Sequence, residues 1–326
     1  MKKIILITVI AITIGASFVI LKRIKQPSSN AAYTIGILQT ASHPALDAVR
    51  EGFVEELKNK MGNVVACVVQ NAQGSISQAH GMAQQFHADR NMNLFFVIAT
   101  PAAQAMSAVE KEKPIVISAV TDPSALGLIH LKQNWSMTNV CGIKDMIDVK
   151  SEIEMLIQLV PNARNVGLIY TAGEANSIAL VAKMRQELIA RGLTATDFAI
   201  GSEADLHPTI ELACRKSDVI LAPTDNTVAS TITAIAAIAL KHKKPLIVSD
   251  NMLVKFGALA ARGVDYRASG KRAAQIAYAV LVDGKKPYSL PIEQATSEQV
   301  FINQATLTSL GLTVPAELKK HIVFVS

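Results

Sequence analysis

Hydrophobic positions along this chain come in short uninterrupted runs, each followed by a polar elbow and then by a longer segment with apolar residues at helical spacing. Residues 94–123 display the unit most clearly. Residues 94–99 (LFFVIA) lack period-two alternation, which predicts a strand buried on both faces inside a parallel sheet. Thr100 offers a hydroxyl as N-cap and Pro101 fits the first helical position, so a helix is predicted to follow. Residues 115–120 form a second buried strand, closed by Thr121, Asp122 and Pro123. A helix N-terminus and an aspartate at neighbouring strand ends predict a ligand site at the carboxyl edge of the sheet.

The unit recurs. Residues 33–39 begin the first strand, and a polar loop leads through Ser42, His43 and Pro44 into a helix whose apolar stripe is Leu46, Val49, Phe53 and Leu57. A strand at 64–70, a helix from 76 and a strand at 139–143 complete the first half. From residue 144 the scheme restarts: helix 151–159, strand 165–170, and a polar turn carrying Glu174, Asn176 and Ser177 into the next helix. Strands at 194–200, 218–222 and 245–248 follow, with a helix around 208–216; the second of these strands ends in Thr224, Asp225, Asn226 and Thr227, the third in Ser249 and Asp250. A helix at 269–281, a strand at 299–302 and a short helix at 305–310 close the chain. The repetition predicts an α/β protein of two lobes, each a parallel sheet flanked by helices. The late helix is expected to rejoin the first lobe and the late strand the second. That places residues 31–143 with about 265–287 in the first lobe, and 144–264 with about 288–326 in the second.

Composition narrows the function. Of 32 basic residues, Lys2, Lys3, Lys22, Arg23 and Lys25 precede any acidic one, so residues 31–326 carry 27 basic against 26 acidic side chains. A nearly neutral body argues against a nucleic-acid partner. Residues 4–21 are apolar or small, uncharged and flanked by lysine and arginine. They read as an export signal, either retained as a membrane anchor with residues 26–30 as a polar tether or cleaved at a site such as Ser29-Asn30-Ala31, placing the protein in the periplasm or on the outer face of the cytoplasmic membrane. Ser17 stands where a lipoprotein signal would carry cysteine, so lipid attachment is not expected. Cys67, Cys141 and Cys214 sit in apolar or helical segments and read as small buried hydrophobes.

No glycine-rich phosphate loop, nucleophile elbow or HExxH pair occurs, and His80 and His87, seven residues apart on one helix, read as surface residues, not metal ligands. No metal or cofactor is expected. Asp122, Glu174, Asp225 and Asp250 are the acidic residues at predicted strand ends. They could hold a ligand's amine while helix N-termini hold its carboxylate, or a pair could act as general acid and base in an exported α/β enzyme. The absence of a nucleophile with its base favours binding over catalysis.

The segments HPALDAVREGF, IATPAAQA, SAVTDP, GEANS, PTDNTVAS and the pair Ser249-Asp250 resemble, in order and spacing, the ABC transporter substrate-binding proteins of the family that includes tryptophan- and other aromatic-amino-acid-binding members. The resemblance implies a periplasmic-binding-protein fold with three interlobe crossovers, a small zwitterionic ligand such as an aromatic amino acid caught between the lobes, and an ABC permease as partner. It maps the pocket to Gln39, Thr100, Thr121, Asp122, Glu174, Asn176, Ser177, Thr224, Asp225, Asn226, Thr227 and Asp250. Tyr170, Phe256 and Tyr266 could line its side-chain pocket or equally pack in a core. Many members of that family are lipoproteins, a feature Ser17 sets apart from this chain.

Overall fold

The computed structural model describes residues 31–124, 127, 138–295, 299–319 and 322–326. The anchor segment 4–21, the tether 26–30 and Trp135 lie outside the described residues. In the first lobe the chain runs β1 (Tyr33–Gln39), α1 (Pro44–Met61), β2 (Val65–Asn71), α2 (Ile76–Ala88), β3 (Leu94–Ile98), α3 (Thr100–Val109), β4 (Ile115–Val120) and β5 (Val140–Lys144). It crosses once and builds α4 (Val149–Leu159), β6 (Asn165–Thr171), α5 (Ala175–Ala190), β7 (Thr194–Ile200), α6 (Glu203–Lys216), β8 (Val219–Ala222), α7 (Asn226–Ser230), α8 (Ile232–Lys241), β9 (Leu246–Val248), a 3-10 helix (Asn251–Phe256) and β10 (Ala260–Arg262). A second crossing leads to α9 (Tyr266–Leu281) and β11 (Ile292–Gln294), and a third to β12 (Val300–Asn303), α10 (Gln304–Ser309) and β13 (Ile322–Val325).

The first sheet has the order β11-β5-β4-β3-β1-β2 with every pairing parallel. The second runs β13-β12-β10-β9-β8-β6-β7, parallel except where β10 meets β12 antiparallel. Three short strands, β10 (AAR), β11 (IEQ) and β13 (IVFV), have no counterpart in the sequence reading. One of them moves a boundary: β11 falls in the stretch assigned to the second lobe yet pairs with β5 of the first sheet.

Uninterrupted apolar runs are required because helices cover both faces of each sheet. In β3, Leu94, Phe96 and Ile98 enter the core beneath α1 and α9, while Phe95 and Val97 enter the one beneath α2 and α3. Phe53 of α1 stacks on Phe96 with ring centroids 3.7 Å apart. Two glycines let α1 and α9 cross closely: a Cβ on Gly52 would stand 2.3 Å from the Arg267 carbonyl oxygen, and one on Gly270 would stand 2.0 Å from that of Val49. Helix α6 begins at Glu203, earlier than Pro208 suggested, and tolerates that proline inside it.

The cysteines are free thiols, Cys141 and Cys214 buried and Cys67 half-buried. Burial pushes the Cys141 thiol up to about 12. His87 pairs with Glu110 at 3.0 Å, and no cluster that could hold a metal occurs among the described residues.

Candidate functional site

Elbows at the carboxyl ends of strands in both sheets face each other, with His43 after β1 set against Asn226 after β8 and Asp122 after β4 set against Lys183, and the space they border is the cleft between the lobes. On the first lobe, the elbow after β3 departs from the sequence reading. The residue flanking α3 is Ala99, at φ 74°, and Thr100 is already helical. The capping hydroxyl comes instead from Thr40, at the end of the adjacent β1: its Oγ1 accepts from Ala102 N at 3.1 Å and donates to the Ile98 carbonyl at 3.0 Å. Thr100 Oγ1 is thereby left buried without a partner. Ala119 also has positive φ, 55°, where the β4–β5 register shifts near the cleft end of β4. Two non-glycine residues held in the left-handed region at adjacent strand ends mark a backbone constrained by its surroundings.

On the second lobe, seven of the sequence-predicted residues form one network. Asp225 caps α7 by accepting from Val228 N at 2.9 Å, and it also accepts from Thr171 N at 2.7 Å, Thr171 Oγ1 at 2.9 Å and Ser177 Oγ at 2.7 Å. Glu174 accepts from Asn226 N at 3.0 Å, Asn226 Nδ2 at 2.5 Å, Thr227 N at 3.0 Å and Thr227 Oγ1 at 3.2 Å. Its own carboxylate therefore occupies the amide-rich end of α7. Burial, aided by the Asp225 charge, pushes Glu174 up to about 7 against those donors. Asn176 Nδ2 donates to the Thr224 carbonyl at 2.9 Å and to Glu174 Oε2 at 3.2 Å, an assignment that two acceptors enforce. Asn176 Oδ1 and Thr224 Oγ1 remain buried and unpartnered.

The remaining candidates have other surroundings. The Gln39 amide donates to the Ala41 carbonyl and to Asp47, and accepts from Arg50, so it is held within the first lobe. Asp122 meets Lys183 of α5 across the cleft at 3.5 Å. Thr121 lies beside Asp145. Asp250 caps the 3-10 helix through Met252 N at 2.8 Å. Of the aromatic candidates, Tyr170 stands near Asp197 and Arg185, and Phe256 is partly exposed under Lys255. Tyr266 is buried at the crossover and donates to Asp145 Oδ2 at 3.2 Å.

Three participants are not among the expected pocket residues, although His43 stands at the N-cap of α1 and Asp145 directly follows β5. His43, before Pro44, is buried; its Nε2 lies 3.4 Å from Asn226 Oδ1 across the cleft. Because Asn226 Nδ2 is committed to Glu174, Oδ1 is the acceptor, so His43 donates from Nε2 and presents an unpartnered Nδ1 acceptor. Burial drives the His43 pKa down to about 4, keeping it neutral. Asp145, after β5, is buried with Oδ1 unpartnered, and burial lifts it to about 6. Lys183 sits mid-helix and signals nothing in one dimension.

Comparison with known proteins places this geometry. The chain is 31% identical over 291 residues to the tyrosine-binding protein of Clostridioides difficile (strain R20291), covering 88% of this chain and 84% of that one. A crystal structure of an ABC domain in complex with L-Trp from Streptococcus pneumoniae matches with a TM-score of 0.85 at 30% identity, covering 91% of this chain and all of that one. The ligand-free, open structure of a substrate-binding protein with adhesive properties from Clostridium difficile matches at 0.67 with 32% identity, covering 90% and 99%. The family model described as ABC transporter substrate binding protein matches residues 34–323, both lobes and all three crossovers. The clefted, two-lobed chain is thus no member of an enzyme family: it belongs to the substrate-binding proteins of ABC transporters.

Proposed function

We propose that this protein is the extracytoplasmic receptor of an ABC importer and that its interlobe cleft takes an aromatic α-amino acid. Family membership carries the receptor role. The ligand class is supported by the tyrosine-binding relative and by the structure with L-Trp. One observation carries the site: buried polar atoms without partners occur at strand ends of both lobes, His43 Nδ1 and Thr100 Oγ1 on the first, Asn176 Oδ1 and Thr224 Oγ1 on the second. A buried polar atom left unpaired costs about 1–3 kcal/mol, so such atoms at a cleft point to a polar ligand.

Their chemistry suggests an orientation. Thr100 lies in the first turn of α3, where a hydroxyl and the positive end of the helix favour a carboxylate. Asn176, whose Nδ2 donates to Glu174, presents Oδ1 as an acceptor and His43 presents Nδ1, acceptors suited to an ammonium. Glu174 already fills the end of α7, which leaves the ligand carboxylate to α3. Asp225, Ser177, Asn226 and Thr227 hold Glu174 and Asn176 in place, while Thr121, Asp122 and Asp250 line the cleft from the remaining strand ends. Calorimetric titration with tyrosine, tryptophan, phenylalanine, leucine and a hexose tests this reading. Tight binding of an aromatic amino acid is expected, lost in Asn176→Ala; selective binding of the sugar would refute it.

Residues 4–21, about 27 Å long as a helix, come close to the hydrocarbon thickness of about 30 Å and would tether the receptor beside its permease. Among the described residues no helix is long and apolar enough to cross a membrane. N-terminal sequencing of the mature protein decides: a start near Ala32 would mean that the segment is cleaved.

A further inference from the structure

In a parallel sheet every segment that precedes a strand lies at one edge, and in the first lobe that edge is the one remote from the cleft. It gathers residues 31–32 before β1, 62–64 before β2, 89–93 before β3, 110–114 before β4 and 282–291 before β11. The strand order β11-β5-β4-β3-β1-β2 makes the edge about 24 Å wide, at about 4.8 Å between neighbours. Lys58, Lys60, Arg90, Lys111, Lys285 and Lys286 stand exposed there or in the helix turn leading to it, and none of them forms an ion pair among the described residues. The loops are tied into one surface. Lys60 Nζ lies 5.2 Å from the centre of the Tyr278 ring of α9, Lys113 Nζ donates to the Asp89 carbonyl at 3.0 Å, and Asn139 Nδ2 donates to the Lys113 carbonyl at 2.7 Å. Of the acids at this edge, Glu110 is buried and taken up by Glu112 N at 2.7 Å, Lys113 N at 2.9 Å and His87 at 3.0 Å. That leaves Asp89, Glu112 and Asp283 against the six basic side chains and Lys113. Exposed apolar side chains stand among them: Val64 at 46%, Val282 at 44% and Tyr288 at 59%.

Unpaired basic side chains interleaved with exposed valine and tyrosine suit a surface that meets lipid headgroups, where lysine faces anionic phosphate and tyrosine sits between water and hydrocarbon. Charge alone does not choose between the two ends of the molecule, because Lys216, Lys243 and Lys244 stand at the corresponding edge of the second sheet. The course of the chain does choose. Residues 22–32 join the apolar segment 4–21 to β1, which starts at this edge of the first lobe, and fully extended they reach no more than about 40 Å. We propose that this edge is a lipid-docking surface, seated on anionic phospholipid headgroups beside the anchor. The choice of edge rests on the anchored-receptor reading; the charge and apolar pattern do not depend on it. Seated in this way, β1, seven residues long at about 3.3 Å each, raises the cleft about 20 Å above the lipid, where solutes reach it freely. The attraction acts within a Debye length of about 8–10 Å, so it holds the lobe only on contact and yields to salt.

The second-lobe lysines supply the control. The full chain is reconstituted into lipid nanodiscs of phosphatidylcholine, alone or with about one third phosphatidylglycerol, and acetylation of each lysine is followed by mass spectrometry. In the anionic discs Lys58, Lys60, Lys285 and Lys286 should react at least about fivefold more slowly than in the neutral ones, with Lys216, Lys243 and Lys244 unchanged. Salt at about 0.5 M should abolish the difference. Lys285→Glu/Lys286→Glu should release Lys58 and Lys60 from protection, whereas Lys216→Glu/Lys243→Glu should leave that protection intact. Both double variants should keep the native melting temperature, because all four side chains are exposed and unpaired. Equal rates in the two lipids, or protection of both ends of the molecule alike, overturns the proposal. If N-terminal sequencing finds a mature protein that starts near Ala32, the anchor reading fails by itself, and co-sedimentation of that mature protein with phosphatidylglycerol vesicles decides the surface. Binding that is lost in high salt and in Lys285→Glu/Lys286→Glu upholds it; no binding overturns it.

Discussion

Replacing Asp225 with alanine separates a structural latch from a ligand contact. The side chain is 3% exposed and accepts from Thr171 N, Thr171 Oγ1, Ser177 Oγ and Val228 N. Alanine removes a helix cap, worth about 1 kcal/mol, and strands the Thr171 amide in a partly buried site, worth about 1–3 kcal/mol. Two effects offset part of the loss: Ser177 Oγ keeps the Thr224 carbonyl as an acceptor at 3.2 Å, and Glu174 is relieved of a neighbouring charge. The net cost is about 2 kcal/mol, and at about 2–4 °C per kcal/mol for a lobe of this size the melting temperature should fall by about 4–8 °C. Scanning calorimetry of the native chain, Asp225→Ala and Asp225→Asn provides the measurement, with asparagine, which keeps one acceptor oxygen, losing about half as much. NMR titration adds a check, because Glu174 should titrate lower in Asp225→Asn. A melting temperature within 2 °C of native in the alanine variant, together with lost ligand affinity, would refute the reasoning and make Asp225 a direct ligand contact.

Other substitutions probe the fold, the cleft and its protons. Gly270→Ala puts a methyl 2.0 Å from the Val49 carbonyl oxygen, so α9 must move off α1; chemical denaturation should reveal a loss of about 3 kcal/mol. Lys183→Ala removes an interlobe ion pair whose side chains are 47% and 20% exposed, and calorimetry should find ligand affinity weakened by less than about fivefold. Burial raises Glu152 to about 8, so its protonated form is the one the fold favours. The associated stability is complete below the unfolded value near 4.3 and is lost as pH rises toward 8; melting temperatures of Glu152→Gln from pH 5 to 9 should decline less than those of the native chain.

Most strands and helices of this protein were legible locally. Unbroken apolar runs such as LFFVI and VILA can be buried on both faces only in a parallel sheet covered by helices, and Pro44, Pro101 and the Asp225 cap punctuate the elbows. The repetition of that unit, with residue 144 as the point of restart, was enough to anticipate two α/β lobes. What escaped was short or borrowed: β11 is three residues long and depends on β5 to be a strand at all.

The chain by itself determined which residues gather at strand ends, because a strand followed by a helix places its elbow at the carboxyl edge wherever it occurs. It could not determine what each elbow residue does there. Thr100 seemed a cap, yet the capping hydroxyl is that of Thr40, 60 residues earlier, because β1 and β3 are neighbours in the sheet. Asp225 and Glu174 looked equally available to a ligand, but folding surrounds both carboxylates with donors from Thr171, Ser177, Asn226 and Thr227. His43 and Lys183 acquired partners only because the two lobes set them against Asn226 and Asp122. Hydrogen bonds and burial are properties of neighbours in space, and across a two-lobed chain those neighbours lie far apart in sequence.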